Sequence, residues 1–429
     1  MASDATGRKS GERGAPSRRA ILTGFGAAGL GVLAPGRALA ESMQEPAGRS
    51  PEAAQQVQPF YGAYQAGVTT PVPAAALVAS FDVLAQSRPD LDRLMRELTE
   101  RVAFLMAGGT PPPIDPKFPP SDSGVLGPQV VPDNLTITVA VGSSLFDERF
   151  GLGSVMPSRL QRMRRFPNDA LEPDYCHGDI LLQFCSNTPQ ANVHALRDII
   201  KHTPDLLGLR WKIDGFLPVA ADASGKRQTA RNLLGFKDGT ANPDPADPKL
   251  MSSLVWLQAG DPTEPAWAAG GSYQVVRIIR NFVERWDRTP LGEQEAIMGR
   301  DKASGAPMGL ADEHDDPDYG SDPHGTRIRL DAHIRLANPH TRETLATRIL
   351  RRGYNYSRGI TKSGQLDMGL LFICFQSDLD AGFIAIQERL NGEPLEEYIK
   401  PTGGGYFFVL PGVRDASGYL GEGMLAASA

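Results

Sequence analysis

Cysteine is scarce in this chain: 429 residues contain three. Cys176, Cys185 and Cys374 are too few and odd in number to make a disulfide framework. Cys185 in "LLQFCS" and Cys374 in "LFICFQS" sit in apolar runs, where a free thiol behaves as a small core hydrophobe. Cys176-His177 has no second pair at metal-ligand spacing. Positive charge is also short. The net charge is −6, and residues 1–40 alone carry +4 (Arg8, Lys9, Arg13, Arg18, Arg19 and Arg37 against Asp4 and Glu12), so the remainder stands at −10. Such an acidic body excludes nucleic acid and an anionic membrane surface as partners. No apolar stretch reaches the roughly 18–20 residues of a transmembrane helix, so the chain is not membrane-spanning. A hydrophobic content of 41% over this length is that of a globular protein with two domains or one large one.

The basic N-terminus has the layout of an address. "SRRAILTGFGAAGLGVLAPGRALA" places the twin arginine Arg18-Arg19 before a short Gly/Ala-rich apolar run and ends in Ala38-Leu39-Ala40, the small-x-small pattern at which a signal peptidase cuts. Residues 1–40 are therefore expected to be a twin-arginine export signal, directing the protein to the periplasm, cell envelope or exterior. Residues 41–57 are polar and Ala/Gln-rich, as in a mobile leader.

Downstream, hydrophobic periodicity gives two similar series. "AAALVASFDVLA" (74–85) reads as a strand. In "SRPDLDRLMRELTERVAFLMAG" Leu91, Leu94, Met95, Leu98, Val102 and Leu105 share one helical face, with Ser87 and Pro89 marking the start. "NLTITVAV" and "GDILLQFCS" read as strands, Thr188-Pro189 opens a helix to about Lys201, and "LRWKIDGFLP" returns as a strand. The order is β-α-β-β-α-β, the split ferredoxin-like unit. The second half repeats it: "SYQVVRIIRNF" strand, "LGEQEAIMGR" helix, "IRLDAHIRL" and "DMGLLFICFQS" strands, "DAGFIAIQERL" helix and "GYFFVLP" strand. The expected fold class is α+β, two ferredoxin-like units with antiparallel sheets and helices outside, of the dimeric ferredoxin-like α/β barrel type. The boundaries expected are 58–234 for the first unit and 235–425 for the second.

The second unit opens on "GFKDGTANP" (235–243). An Asp-Gly pair is ordinarily a turn. Here it has company over roughly residues 58–415: "HGDILLQFC" precedes it, and "DAHIRLANPHT", "RILRRGYNYSRG", "GLLFICFQ" and "GGGYFFVLPG" follow. Together these segments resemble the dye-decolourising peroxidases, and the leader with "LRRGYNYSRG" resembles their exported deferrochelatase/peroxidase branch. The resemblance implies a haem enzyme that reduces hydrogen peroxide and oxidises dyes or other bulky organic donors. With no C-x-x-C-H run, the cofactor implied is haem b, one per chain and non-covalently bound. A homodimer and a link to an iron-uptake system are further implications.

A haem iron needs an axial ligand, and imidazole is a common one. Of seven histidines, His333 alone lies in a β-patterned apolar segment, where a buried histidine is commonly a satisfied core residue. The resemblance makes His333 the proximal iron ligand. It likewise gives Asp238 the proton-relay role and Arg351 that of the fixed cation on the other haem face, Arg352 being the nearest competitor. Gly239, Thr240, Ala241, Asn338, Pro339 and His340 follow as haem contacts, beside Arg351 itself. Met368, Leu370 and Phe372 form an apolar stripe that is either a wall above the haem or, as such stripes ordinarily are, core; Trp211, Trp256, Trp267 and Trp286 are candidates for carrying electrons from bulky donors but are expected to be packing. The competing functions are a haem-handling protein that releases iron from haem, which has no need of Asp238 and Arg351 together, and a ferredoxin-like binding domain without haem.

Overall fold

Nine antiparallel strands run through the computed structural model, which describes residues 51–218 and 228–428. The twin arginine, the Ala40 cleavage point and residues 41–50 lie outside the described residues. The strands are β1 (Ala75–Val83), β2 (Thr136–Gly142), β3 (Ile180–Ser186), β4 (Leu207–Phe216), β5 (Ser272–Asn281), β6 (Leu350–Arg351), β7 (Tyr354–Ile360), β8 (Leu366–Gln376) and β9 (Ile399–Val409). The first half pairs in the order β2-β3-β1-β4 and the second in the order β9-β5-β8-β7, so each half has the ferredoxin-like strand order. The halves join edge to edge, through β2–β9 and β4–β7, and their sheets close into a single eight-stranded barrel. β6 and β7 follow the same edge of β8, broken at Arg352-Gly353.

Alternation along the strands sorts the side chains into two sets. Val78, Leu181, Trp211, Ile213, Val276, Ile278, Tyr354, Leu371, Ile373 and Phe407 pack together and fill the lumen. Leu77, Ala79, Phe81, Ile137, Leu182 and Phe184 face outward onto the helices Arg88–Ala107 and Pro189–His202. In the first helix Ser87 Oγ accepts from the Asp90 backbone N–H, and the six apolar residues of its face are fully buried, each stabilising by roughly 1.5–3 kcal/mol. Residues before β1 are tied down as well: Ala54 and Gln56 carbonyls accept from Asp133 and Asn134 N–H at 2.9 and 2.8 Å. Among the described residues no helix is long and apolar enough to cross a membrane.

One expected strand is absent. Residues 328–332 of "IRLDAHIRL" are irregular, and His333–Ala337 is a short helix. The backbone there is satisfied by side chains instead of a neighbouring strand: Asp322 accepts from the Thr326 and Ile328 N–H groups, and Arg335 donates to the Ile328 and Asp322 carbonyls. Its place in the ferredoxin-like order is taken by β7, "YNYSRGI".

Candidate active site

Arg351 ends β6 opposite Cys374 of β8. It therefore shares the outer face of β8 with Cys374, Phe372, Leu370 and Met368. Arg352 turns the other way, into the barrel, where it is 3% exposed and donates to the Thr70 and Pro71 carbonyls. The competitor for the cationic role is thus removed from the site by strand alternation.

The segment 235–243 is an irregular loop that brings Asp238 to Arg351, with Oδ1 to Nη1 at 2.6 Å. Oδ2 of Asp238 has no hydrogen-bond partner among the described residues. Both side chains are accessible, at 23% and 30%, so a molecule the size of hydrogen peroxide can reach them. Several bonds hold the loop. Lys237 Nζ and Thr240 Oγ1 both bond to the Glu313 carboxylate, at 2.5 and 2.9 Å, and the Asp238 N–H donates to the Ala230 carbonyl at 2.8 Å. Asn242 bonds to the Arg351 backbone, Nδ2 donating to the carbonyl at 2.7 Å and Oδ1 accepting from the N–H at 3.2 Å.

His333 begins its short helix, and its Nδ1 meets Glu393 Oε2 at 2.7 Å. Glu393 is nearly inaccessible, at 3%, and holds the ring in one orientation. Nε2 has no hydrogen-bond partner among the described residues. Burial works to lower the His333 pKa, but the charge and hydrogen bond of Glu393 outweigh it and raise it; Arg351 opposes that rise and Asp238 adds to it. The charges of Arg351 and Asp238 are thus near enough to the imidazole to influence its titration.

Beside Arg351 on the outer face of β8 runs an apolar row. Met368, Leu370 and Phe372 are half-buried, whereas Leu371, Ile373 and Phe375, which alternate with them, are in the core. Phe372 packs against the outer core cluster and lies 5.8 Å from the Phe383 ring. At Gly239 (φ +111°) a Cβ would meet only Asn242 Nδ2, at 3.8 Å, leaving the backbone open to a flat ligand. A second cation, Arg300, lies close by. Burial, and after it the positive charge of Arg351, lowers its pKa, and its Nη1 donates to the Gly305 and Glu313 carbonyls. Tyr319 is near it, its hydroxyl buried without a partner among the described residues and its pKa pushed up to about 12 by burial despite Arg300 and Arg335.

Other expected contacts are engaged elsewhere. Thr240 gives its hydroxyl to Glu313, Ala241 is exposed, and the Asn338 side chain accepts from the His340 N–H at 3.2 Å across Pro339. His340, at φ +59°, pairs with Asp316 at 2.8 Å and stacks edge-on against Tyr319. The indoles of Trp211, Trp267 and Trp286 each donate to a backbone carbonyl, and Trp256 stacks on Tyr64. Three features were not found from the sequence: Glu393, Arg300 and the amide of Asn242.

The residues present fit a haem. A histidine with one nitrogen held by a carboxylate and the other without a partner among the described residues has the chemistry of an oriented axial ligand, and the same half of the chain carries an accessible carboxylate–guanidinium pair. Comparison with known proteins agrees. The family model described as "Dyp-type peroxidase, N-terminal" matches residues 65–217, and "Dyp-type peroxidase, C-terminal" matches residues 229–414. The deferrochelatase of Escherichia coli (strain K12) is 58% identical over 411 residues, 96% of this chain and 97% of that protein. Among solved structures, a DyP-type peroxidase from Cellulomonas bogoriensis is 35% identical with a TM-score of 0.76, covering 87% of this chain and 99% of its own. Ferric DtpA from Streptomyces lividans is 31% identical with a TM-score of 0.78, covering 88% and 100%.

Proposed function

Since the chain belongs to the dye-decolourising (DyP-type) peroxidase family and is a haem enzyme, we propose that His333 is its proximal iron ligand and that Asp238 and Arg351 form its distal pair. The observation that carries this reading is the accessible 2.6 Å Asp238–Arg351 pair, taken with an imidazole that Glu393 holds by one nitrogen. Haem, when bound, supplies the redox-active iron and porphyrin that take up the oxidising equivalents of peroxide and pass them to an organic donor. The protein contributes position and charge. Asp238 Oδ2 accepts a proton from peroxide and returns it to the oxygen that leaves as water. Arg351, charged at any working pH, stabilises the negative charge that develops on that oxygen. Glu393 fixes the His333 ring and increases its basicity. Gly239, Thr240, Ala241, Asn338, Pro339 and His340 approach the cofactor chiefly through backbone. The cofactor is haem b, one per chain and non-covalently bound, in keeping with the absence of a C-x-x-C-H run. Arg18-Arg19 and Ala38-Leu39-Ala40 support export by the twin-arginine route, and the halves divide near residue 235.

An absorption spectrum before and after one equivalent of peroxide tests the main reading: a Soret band that shifts and is restored by a dye donor is expected, and an unresponsive band would refute it. A second reading, release of iron from haem, is favoured by the name of the 58%-identical relative, deferrochelatase. Its mark is metal-free porphyrin fluorescence appearing with chelatable iron.

A further inference from the structure

Asn242 carries no charge and no acid–base chemistry, yet its amide makes two hydrogen bonds to the backbone of one residue, Arg351. The Arg352 N–H donates to Ile373 of β8 at 2.8 Å, so by alternation the N–H and C=O of Arg351 point away from that strand. They are the groups that Asn242 satisfies. A primary amide matched to a peptide N–H and C=O does here what a further strand would do. Asn242 is fixed in turn, because its own N–H donates to the Gly239 carbonyl at 3.0 Å, and Pro243 biases it toward extended backbone. A single tight loop thus holds Asp238 and, four residues on, the grip on Arg351.

We propose that Asn242 is a positioning residue that fixes the Arg351 backbone relative to Asp238, so that the carboxylate and guanidinium meet peroxide in one geometry. The proposal rests on the distal roles given above to Asp238 and Arg351. Asn242→Ala removes both bonds and leaves the Arg351 N–H and C=O without partners. Asn242→Asp keeps an acceptor for the N–H and sets a carboxylate oxygen against the carbonyl.

Hydrogen exchange of the resting holoprotein, followed by mass spectrometry over the peptide that contains Arg351, reads the anchor without turnover. Exchange of the Arg351 amide is expected to be at least tenfold faster in Asn242→Ala and less affected in Asn242→Asp. Stopped-flow mixing with peroxide is expected to show the Soret change slowed by roughly 10- to 100-fold at unchanged haem content, the scale of a displacement near 1 Å. In an Arg351→Leu background, Asn242→Ala should add no further loss. Wild-type exchange and rate in Asn242→Ala, or a full additive loss in the double variant, would overturn the proposal. If Arg351→Leu is slow while Asn242→Ala is not, positioning alone is refuted. If Arg351→Leu reacts at the wild-type rate, the distal assignment falls, and positioning with it. Should the alanine variant fail to fold, Asn242→Asp carries the same comparison.

Discussion

In the N-terminal half the outer face of the sheet lies beneath helices of 20 and 14 residues, and Phe81, Leu182 and Phe184 under them are fully buried. In the C-terminal half the same strand order is covered by helices of eight residues or fewer and by the segment 299–332, which has no α-helix, and Met368, Leu370 and Phe372 stay half-buried. The strands are equivalent and the covers are not. One half uses its outer face for stability. The other leaves that face short of apolar cover and surrounds it with loops that carry charge, and it is on this face that the haem site is proposed. Two buried carboxylates show the same division: Asp169 of the N-terminal half pairs with Arg277 on β5, whereas Glu393 of the C-terminal half is given to a histidine.

The contrast is broken most completely by His333→Ala. Haem content should fall to a small fraction of wild type while far-UV circular dichroism is unchanged, because the ligand sits on a five-residue helix outside both main core clusters. Full occupancy with a histidine-type spectrum would refute the ligand assignment. Next in size are the distal variants. Arg351→Leu should slow the peroxide-dependent Soret change by roughly 10²–10³, and Asp238→Asn within the range of about 10²–10⁴ typical of a proton relay, partly rescued by solvent so that the arginine change is at least as damaging. Both should retain haem, and stopped-flow absorbance measures both. A third pair compares the faces directly. Phe184→Ala should lose about 3–5 kcal/mol in denaturant unfolding, whereas Phe372→Ala, already part-exposed, should lose less and instead speed haem transfer to an acceptor protein. Equal stability losses would contradict the idea of a deliberately thin cover.

The smallest effect concerns a histidine on the closed side. Burial first, and then Arg162 and Arg210, push the His177 pKa down to about 4 from 6.5. The folded state keeps this ring neutral where the unfolded chain takes a proton. Its contribution is therefore complete above about pH 6.5 and lost as pH falls toward 4. In His177→Asn, a residue that tolerates the left-handed φ of +62°, Tm should depend less steeply on pH across that window, as thermal melts in matched buffers would show.

Most of the fold was legible because burial on one or both faces writes a period into the sequence. The helix from Ser87, and β1, β2, β3, β5, β8 and β9, follow from such periods. "IRLDAHIRL" misled because its alternation is real but serves no sheet: Leu330 is exposed, and Asp322 and Arg335 take the backbone bonds. That Asp238 and Arg351 belong together was reachable through motif resemblance. Glu393 was not, since it lies 60 residues from His333 in an unpatterned stretch, "NGEPLEE", and no local regularity links the two. Asn242 stood in the quoted loop, but its partner is a backbone, which leaves no trace in residue identity.

The order of pairing also governs when this molecule can exist at all. β9 is the last strand of the chain, yet it lies between β5 and β2, with residue 409 opposite residue 140. The first unit can collapse on its own helices during synthesis, but its β2 edge stays open until the final strand has left the ribosome. Closure of so long a loop is entropically slow, and until it happens an unpaired strand edge is exposed to other chains. Closure of the barrel thus waits on residues 399–409, and a chain stopped short of residue 399 is an adhesive half-sheet.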